Sequence, residues 1–241
     1  MSTDSSAPHA VAKACTRQPQ PVLISIEGNI GSGKSTLLKR LRERHPDWHF
    51  IDEPVESWMS LRHSNGKSLL ELFYEDKHRW AYTFQNTAIL TRIINGHRAI
   101  EDWRAAGCPG SPIFITERCL HTDMRVFAQM MLDAKDMDYM EWEIYMKWFH
   151  AFSRQVPDPA GFVHVDTDPA TCTERINIRH RDGEGQIPLE YLEKLGAAHN
   201  KWLKAENMDT PVLRFDNVSK EGTRIEDVEA WVTRRWLESM D

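Results

Sequence analysis

Short apolar runs alternate with amphipathic stretches along most of this chain. Five runs, rich in β-branched or aromatic residues and too short for helices, predict buried strands at 22–26, 48–51, 113–116, 161–165 and 212–215. The stretches between them carry apolar residues at helical spacing. Strands that alternate with helices are typical of a parallel sheet with helices on its faces. The pattern therefore predicts an α/β fold with a five-stranded parallel sheet.

Residues 68–106 are predicted to be mostly helical, as a shorter helix followed by a long one from about Asp76. In the long helix, Gln85 and Arg92 lie seven residues apart, about two turns, and so share a face. Polar groups that project from an apolar face are suited to hydrogen bonding with a planar ring. A pair on the surface is an equally good interpretation of the spacing alone.

The predicted helix at 139–152 is apolar nearly all round. Its two apolar stripes are Trp142, Tyr145, Phe149 and Phe152, and Ile144, Trp148 and Ala151. A helix with two apolar faces is buried, either between layers or against another subunit. We favour a subunit interface. A final amphipathic helix is predicted at 225–237.

The first predicted strand leads into a glycine-rich segment. Residues 28–35 match G-x-x-x-x-G-K-[ST] in full, and a helical stretch follows, which is the context of a phosphate-binding loop. Glycine lets backbone N–H groups surround a triphosphate, and the helix adds its own N–H groups and positive dipole end. The residues predicted to bind nucleoside triphosphate are Gly28, Asn29, Ile30, Gly31, Ser32, Gly33, Lys34, Ser35 and Thr36.

Charged groups with distinct chemistry are predicted at the same edge of the sheet. Lys34 supplies a positive charge for the β- and γ-phosphates, and Ser35 a hydroxyl for Mg²⁺. Glu53 follows the second predicted strand, and Glu117 and Arg118 follow the third. Ligands of parallel sheets bind beyond the carboxyl ends of the strands. We therefore interpret Glu53 as a catalytic base and Arg118 as a phosphate ligand. The alternative for Glu53 is a solvated carboxylate in a turn, and for Glu117 and Arg118 it is a surface ion pair.

A basic helix is predicted from Asp168-Pro169, and it carries Arg175, Arg179 and Arg181. Residues 182–185 break it, and another helix starts at 187. A basic helix, a glycine-containing break and a second helix predict a lid, at about 175–188, that closes over phosphates. A solvated basic face is the alternative.

Composition narrows the classes of protein further. The 241 residues suffice for one α/β domain, predicted at 21–241, while the polar residues 1–20 predict a disordered tail. A net charge of −6 argues against nucleic-acid binding, and no apolar run approaches membrane-spanning length. The four cysteines are scattered, which indicates neither a disulfide framework nor a zinc site. We expect a cytoplasmic protein, with a mitochondrial location as the minority interpretation.

Several motifs occur together in a combination that is specific to one family. They are the phosphate loop, Glu53-Pro54-Val55 with Trp58, Phe84-Gln85, Glu117-Arg118, and Arg179-x-Arg181 followed by residues 187–192. From about Val22 to Leu203 the chain resembles the deoxynucleoside kinases, which include deoxycytidine, deoxyguanosine and mitochondrial thymidine kinases. The resemblance implies a P-loop kinase fold with an arginine-bearing lid. It also implies a homodimer that uses ATP and Mg²⁺ to phosphorylate a deoxynucleoside 5′-hydroxyl.

The resemblance implies roles at matching positions. Glu53 resembles the general base, and Glu117 a carboxylate that helps to hold Mg²⁺. Arg118 would lie near the transferred phosphate, and Arg175, Arg179 and Arg181 are similar to lid arginines. The implied nucleoside pocket comprises Glu53, Trp58, Leu70, Phe73, Tyr74, Phe84, Gln85, Arg92, Arg118, Asp123, Phe127 and Glu184. Within it, Gln85 would read the base edge, Phe84 and Phe127 would hold the base, and Tyr74 and Glu184 would bind the sugar 3′-hydroxyl.

Arg92 and Asp123 fall where deoxycytidine and purine kinases of the family carry an Arg–Asp pair. Thymidine-using members have smaller or apolar residues there, so the pair predicts a preference for deoxycytidine or purine deoxynucleosides. Three features depart from the family pattern: Cys119 replaces a serine, Phe73 replaces a smaller or more flexible residue, and Gly185-Gln186 differs in order. A nucleoside monophosphate kinase and a non-catalytic nucleotide-binding module are the alternatives.

Overall fold

The computed structural model of this chain describes residues 19–204, 209–216 and 224–238. Its strands form one parallel sheet in the order β2-β3-β1-β4-β5, which confirms the predicted α/β fold. The strands are β1 (Val22–Glu27), β2 (His49–Ile51), β3 (Ile113–Glu117), β4 (Gly161–Val165) and β5 (Val212–Phe215). Most of the predicted tail, residues 1–18, lies outside the described residues.

Helices surround the sheet and account for most of the remaining described chain. The α-helices are α1 (Lys34–Arg44), α2 (Val55–Ser60), α3 (Leu69–Glu75), α4 (Lys77–Ala105), α5 (Leu120–Thr122), α6 (Gln129–Asp133), α7 (Tyr139–Phe152), α8 (Pro169–Arg179), α9 (Leu189–Leu203) and α10 (Ile225–Glu238). A π-helical segment, Asp123–Ala128, joins α5 to α6, and two 3₁₀ turns are Ser153–Gln155 and Glu184–Gln186.

The sheet has a hydrophobic layer on each face. On one face, α1 and α10 pack against β1, with Leu38, Val228 and Ile24 buried together. On the other face, α4, α7 and α9 form a larger core in which Tyr145 and Leu192 are fully buried. Because helices cover both faces, the open edge beyond the strand ends is left for a ligand.

The start of the long helix α4 has a clear local cause. Asp76 ends α3 and caps α4, and its side chain accepts a hydrogen bond from the backbone N–H of Arg79. Ser68 and Glu71 form a capping box at the start of α3. These caps satisfy N–H groups that have no partner within a helix, so the chain turns sharply between α3 and α4.

One detail of the predicted helices is wrong, and a second is refined. Helix α8 ends at Arg179, so Arg181 lies in the turn beyond it, because His180 adopts a left-handed conformation that stops the helix. Burial between layers does not apply to all of α7: Tyr145 and Phe149 are buried, but Ile144 and Trp148 are exposed to solvent. The apolar pattern did not distinguish a core-facing stripe from a second, uncovered one.

Candidate active site

A cavity of about 1170 Å³ opens at the carboxyl edge of the sheet. Most of the residues with predicted roles line it: Ile30, Gly31, Gly33, Lys34, Ser35, Thr36, Glu53, Trp58, Leu70, Phe73, Tyr74, Phe84, Gln85, Arg92, Glu117, Arg118, Asp123, Phe127, Arg175, Arg179, Arg181 and Glu184. Gly28, Asn29 and Ser32 do not line it. One continuous cavity thus joins the phosphate loop to a ring-lined end, which is formed by Trp58, Phe73 and Phe84.

Two glycines give the phosphate loop its shape. Gly28 has φ 138°, and a Cβ there would lie 2.5 Å from the carbonyl oxygen of Val165. Gly31 has φ 77°, and its Cβ would lie 2.6 Å from the carbonyl oxygen of Cys172. A side chain at either position would meet both an unfavourable backbone conformation and a backbone atom.

Residues behind the loop hold it in place. The Asn29 side chain donates to the carbonyl oxygen of Leu192 on α9, at 2.8 Å. Thr167 and Arg175 each donate to the carbonyl oxygen of Ser32, both at 3.0 Å. Asn29 and Ser32 therefore contact the helices beside the loop, which explains their place outside the cavity wall.

Glu53 lies among positive charges. Its Oε1 accepts from Arg118 at 2.5 Å and lies 3.4 Å from Nη2 of Arg92. Burial on its own raises the pKa of Glu53, but Arg118, Arg92 and Lys34 outweigh burial and lower the pKa to about 2. The carboxylate is thus ionised at neutral pH and faces the cavity.

Arg92 and Asp123 form the pair that the resemblance implied. Arg92 Nε donates to Asp123 Oδ2 at 2.8 Å, and Nη2 contacts Oδ1 at 3.3 Å. The guanidinium also donates to the carbonyl oxygen of Glu117 at 2.7 Å. Burial raises the pKa of Asp123, and Arg92 counteracts that rise. The pair is therefore a buried, two-point contact that fixes one wall of the cavity.

Lys34 and Glu117 lie at the phosphate end of the cavity. The Nζ of Lys34 donates to the carbonyl oxygen of Asn29 at 2.7 Å and lies 3.7 Å from a carboxylate oxygen of Glu117. Burial, followed by the charge of Arg118, lowers the pKa of Lys34 to about 8. Within the described residues, no group of three His, Cys, Asp or Glu side chains could enclose a metal ion.

Aromatic rings line the opposite end. Phe73 stacks on Phe84 with ring centres 4.4 Å apart, and Trp58 meets Phe84 edge-on at 5.2 Å. Trp58 is fixed by a 3.0 Å hydrogen bond from its indole N–H to Thr91. The Gln85 carboxamide is buried beside these rings, and its Nε2 has no hydrogen-bond partner in the described part of the chain. A buried amide that lines a cavity in this state can bond to a ligand.

Glu184 lies between the arginines beyond α8. Its carboxylate pairs with Arg179 and Arg181, the latter at 2.8 Å, although Glu184 is only 3% exposed. Burial raises the pKa of Tyr74 well above its usual value, and the charges of Tyr191 and Glu184 add to the rise. The groups with predicted sugar and phosphate contacts therefore lie close together, where α3 meets the turn beyond α8.

Two positions that depart from the family pattern keep well-defined contacts. The Sγ of Cys119 lies 3.5 Å from the Thr122 hydroxyl, so the thiol retains a polar neighbour, and burial raises its pKa. Phe73 fills the space beside Phe84 as described. The side chain of Gln186 lies outside the described residues.

The sequence analysis missed a buried polar group behind the site. Glu27, Thr122 and His199 are each 0% exposed and lie together beneath the phosphate loop. The signal for Glu27 was present, since it is a charged residue at the end of a strand that is apolar apart from Ser25. Thr122 and His199 gave no comparable signal because single polar residues in helices are common.

Comparison with known proteins decides the family. The family model described as "Deoxynucleoside kinase" matches residues 24–238. The chain belongs to the deoxynucleoside kinase family. It is therefore a phosphotransferase that phosphorylates deoxynucleosides.

Individual members of the family are similar over most of their length. Deoxycytidine kinase of Homo sapiens is 34% identical over 222 residues, which cover 80% of this chain and 82% of the relative. Mitochondrial deoxyguanosine kinase of Xenopus laevis is 30% identical over 216 residues, covering 84% and 80%. A probable deoxycytidine kinase of Fowlpox virus is 34% identical over 199 residues, covering 80% and 77%.

Proposed function

We propose that this deoxynucleoside kinase transfers the γ-phosphoryl group of ATP to the 5′-hydroxyl of deoxycytidine or a purine deoxynucleoside. The observation that carries the proposal is the ionised Glu53 carboxylate, held by Arg118 and Arg92 in the same cavity as Lys34. It lies between the phosphate loop and the ring-lined pocket, where an acceptor hydroxyl and a donor phosphate must meet. The kinase is proposed to be one domain over 21–241, with a lid at 175–188.

At the phosphate end, the loop and lid would hold the triphosphate. Backbone N–H groups of residues 28–36 would surround the β- and γ-phosphates, and Lys34 would neutralise part of their charge. Arg175, Arg179 and Arg181 would approach from the lid. Phosphoryl transfer depends mainly on positioning and on charge stabilisation, which these groups can supply.

Ser35 and Glu117 fit a magnesium ion that is shared with the phosphates. Mg²⁺ prefers oxygen ligands, keeps several waters, and commonly takes one or two carboxylates with substrate phosphates. Both residues line the phosphate end of the cavity, and Glu117 is already within 3.7 Å of a cation, the Lys34 ammonium. The ion would add positive charge at the transferred group.

At the acceptor end, Glu53 would accept the proton of the 5′-hydroxyl while Arg118 holds both Glu53 and the transferred phosphate. Tyr74 and Glu184 would bind the 3′-hydroxyl of the sugar. Trp58, Leu70, Phe73, Phe84 and Phe127 would enclose the base. The unpartnered Nε2 of Gln85 would bond to the base edge.

The Arg92–Asp123 pair supports a preference for deoxycytidine and purines over thymidine. The pair holds a guanidinium in the cavity wall, where it would face the base and occupy space that a thymine methyl would need. The deoxycytidine and deoxyguanosine kinases among the relatives agree with this direction.

Glu53→Gln tests the central assignment. Loss of the base should lower kcat by roughly 10²–10⁴-fold, while nucleoside binding, followed by tryptophan fluorescence, is largely kept. Glu75→Gln, at an exposed carboxylate paired with Lys67, is the matched control and should keep normal turnover. Near-normal kcat in Glu53→Gln would remove Glu53 from this role.

The alternative of a monophosphate kinase is tested by the choice of acceptor. Glu53 would repel an acceptor phosphate, so we expect ATP-dependent turnover of deoxynucleosides and not of their monophosphates. Turnover of monophosphates alone would overturn the proposal.

We also propose a homodimer. The stripe of α7 that faces solvent carries Ile144 and Trp148, and α4, which packs beside it, exposes Ile94. Large apolar side chains on one surface are typical of an interface. Trp148→Glu should shift the protein from dimer to monomer in light scattering, whereas Leu61→Glu, at an exposed leucine elsewhere, should not. A monomeric wild type would contradict the dimer.

For location we propose the cytoplasm. The thiols of Cys108, Cys119 and Cys172 are free, which suits a reducing compartment. No helix in the described residues has the length and apolar character needed to cross a membrane. The net charge of −6 gives no support for nucleic-acid binding. Fractionation of the native cell would test the cytoplasmic location, and recovery of the protein with mitochondria would contradict that location.

A further inference from the structure

We propose that Glu27, with Thr122 and His199, positions the catalytic groups from behind the site, and this inference rests on the proposed function. None of the three lines the cavity. All three are fully buried and join segments that are far apart in sequence: the end of β1, the turn after β3, and α9. Their effect on the reaction would pass through Arg118 and Phe127.

One carboxyl oxygen of Glu27 accepts hydrogen bonds from two hydroxyl groups. Its Oε1 accepts from Ser25 and from Thr122, each at 2.6 Å. Because the single hydroxyl proton of Thr122 is directed to Glu27, the oxygen of Thr122 is free to accept from the backbone N–H of Cys119, at 3.2 Å. The carboxyl group is thus linked through Thr122 to the residue that follows Arg118.

Arg118 needs such support because its backbone is strained. Its φ is 60°, a left-handed conformation that is unfavourable for a residue with a side chain. Its N–H donates to the carbonyl oxygen of Ile26 at 3.0 Å, and its carbonyl oxygen accepts from Thr116 at 2.9 Å. With Cys119 also fixed by Thr122, the turn directs the guanidinium toward Glu53.

The second carboxyl oxygen of Glu27 faces His199. Its Oε2 lies 4.0 Å from Nε2 of the imidazole, too far for a hydrogen bond, and neither atom has a hydrogen-bond partner within the described residues. The other ring nitrogen, Nδ1, lies 2.9 Å from the carbonyl oxygen of Leu195 and must donate to it. In the neutral ring Nε2 is then an acceptor, and it faces a carboxyl oxygen of Glu27 across this gap.

Burial of the pair favours the uncharged form of each side chain. Burial raises the pKa of Glu27, although Ser25, Thr122, Arg118 and Arg92 act in the opposite direction. Burial also lowers the pKa of His199 well below its usual value. A glutamine side chain has nearly the same size and keeps an oxygen that can accept from Ser25 and Thr122, without the charge.

His199 extends the contact to the nucleoside pocket. Its ring meets Phe127 edge-on, with centres 6.3 Å apart, and the Arg118 guanidinium lies 5.0 Å from the centre of the same Phe127 ring. The buried group thus supports, from one side, two cavity-lining groups that contact each other.

Thr122→Val is the main test because it removes one hydroxyl and keeps the side-chain shape. We expect kcat for the preferred deoxynucleoside to fall about 10–100-fold, since small misplacements of catalytic groups have effects of this size. The KM for the deoxynucleoside should change little, and the melting temperature should fall by only a few degrees, because the buried N–H of Cys119 loses its acceptor. Thr122→Ser should restore most of kcat, and Thr233→Val, a matched change on α10, should have no effect.

Glu27 variants test the other half of the group. Glu27→Gln should retain most of kcat, whereas Glu27→Leu should resemble Thr122→Val. Wild-type kcat in Thr122→Val would overturn the inference, and so would a Glu27→Gln protein as impaired as Glu27→Leu. A wild-type chain without kinase activity would instead reject the proposed function, so the two failures are distinct.

Discussion

The two ends of the cavity are built in different ways. The phosphate end is one stretch of chain, residues 28–36, whose shape depends on glycine conformations and on backbone N–H groups. The ring-lined end collects side chains from α2, α3, α4 and the segment after β3, and it contains buried ion pairs. One end therefore depends on local geometry, and the other on the balance of charge among distant segments.

This difference predicts different sensitivities. A loop that binds phosphate through backbone N–H groups does not recognise the base. It should therefore lose ATP binding only when a substitution blocks its shape. Buried charges are strongly destabilising when one partner is removed, and much less so when both are removed together. Substitutions at the two ends should therefore differ in the property that they affect as well as in the size of the effect.

The largest expected effect is at the ring-lined end. Arg92→Met would leave Asp123 buried without its partner, which should lower the free energy of unfolding by about 3–5 kcal/mol in urea titrations. Arg92→Met combined with Asp123→Ala should recover part of this loss and raise thymidine turnover. Removal of the exposed Arg42–Asp52 pair should cost less than about 1 kcal/mol. Equal losses in the free energy of unfolding for both pairs would show that burial does not determine the size of the loss.

Gly28→Ala should block the phosphate end. The new Cβ would approach the carbonyl oxygen of Val165, so we expect KM for ATP to rise about 100-fold, or about 2.7 kcal/mol. Deoxynucleoside binding, measured by fluorescence, should persist. Gly107→Ala is the control, since its φ is also positive at 82° but nothing lies within 4 Å of its Cβ. A similar loss of ATP affinity there would point to general strain.

The pH dependence of ATP use should report Lys34. Since its pKa is lowered to about 8, the ammonium that binds phosphate is lost as pH rises through that value. We expect kcat/KM for ATP to fall about tenfold per pH unit well above pH 8, because this parameter reports the free enzyme. Bound triphosphate favours the charged form of Lys34, so kcat should decline at a higher pH than kcat/KM does. A flat profile to pH 10 would contradict the assignment.

The smallest expected effect concerns the wall of the nucleoside pocket. Thr91→Val would leave the indole N–H of Trp58 without its acceptor, at a cost of about 1 kcal/mol, or roughly fivefold in KM for the deoxynucleoside. Thr87→Val removes a hydroxyl that bonds within α4 and should have no such effect. An unchanged KM in Thr91→Val would mean that Trp58 is held by packing alone.

The sequence predicted the phosphate end well because its signal is local. A strand, a glycine motif and a helix follow one another, so residues 22–41 define their own conformation. At the other end, the strand ends predicted that Glu53 and Arg118 share one edge of the sheet, and motif positions suggested the remaining residues. The contact of Glu53 with both Arg92 and Arg118 depends on how α4 crosses the end of β3, which no short pattern encodes.

The fold was predicted in outline for the same reason. Periodicity identified the five strands, but it placed Arg181 on α8 and did not indicate the helices at 55–60 and 120–133. The buried group around Glu27 was missed because its members are single residues in three separate segments. Such contacts appear only once the sheet register and the packing of α9 are known.

The pairing of Glu184 with Arg179 and Arg181 has a consequence for the order of events at the lid. Glu184 acts as a resident counter-ion for both arginines. On the proposed roles, an arriving triphosphate takes over the arginines and releases the carboxylate to the sugar hydroxyl. Each substrate then lowers the free-energy cost of binding the other, and linkage requires that this help be reciprocal. The binding of the two substrates would thereby be coupled through one exchange of ionic partners.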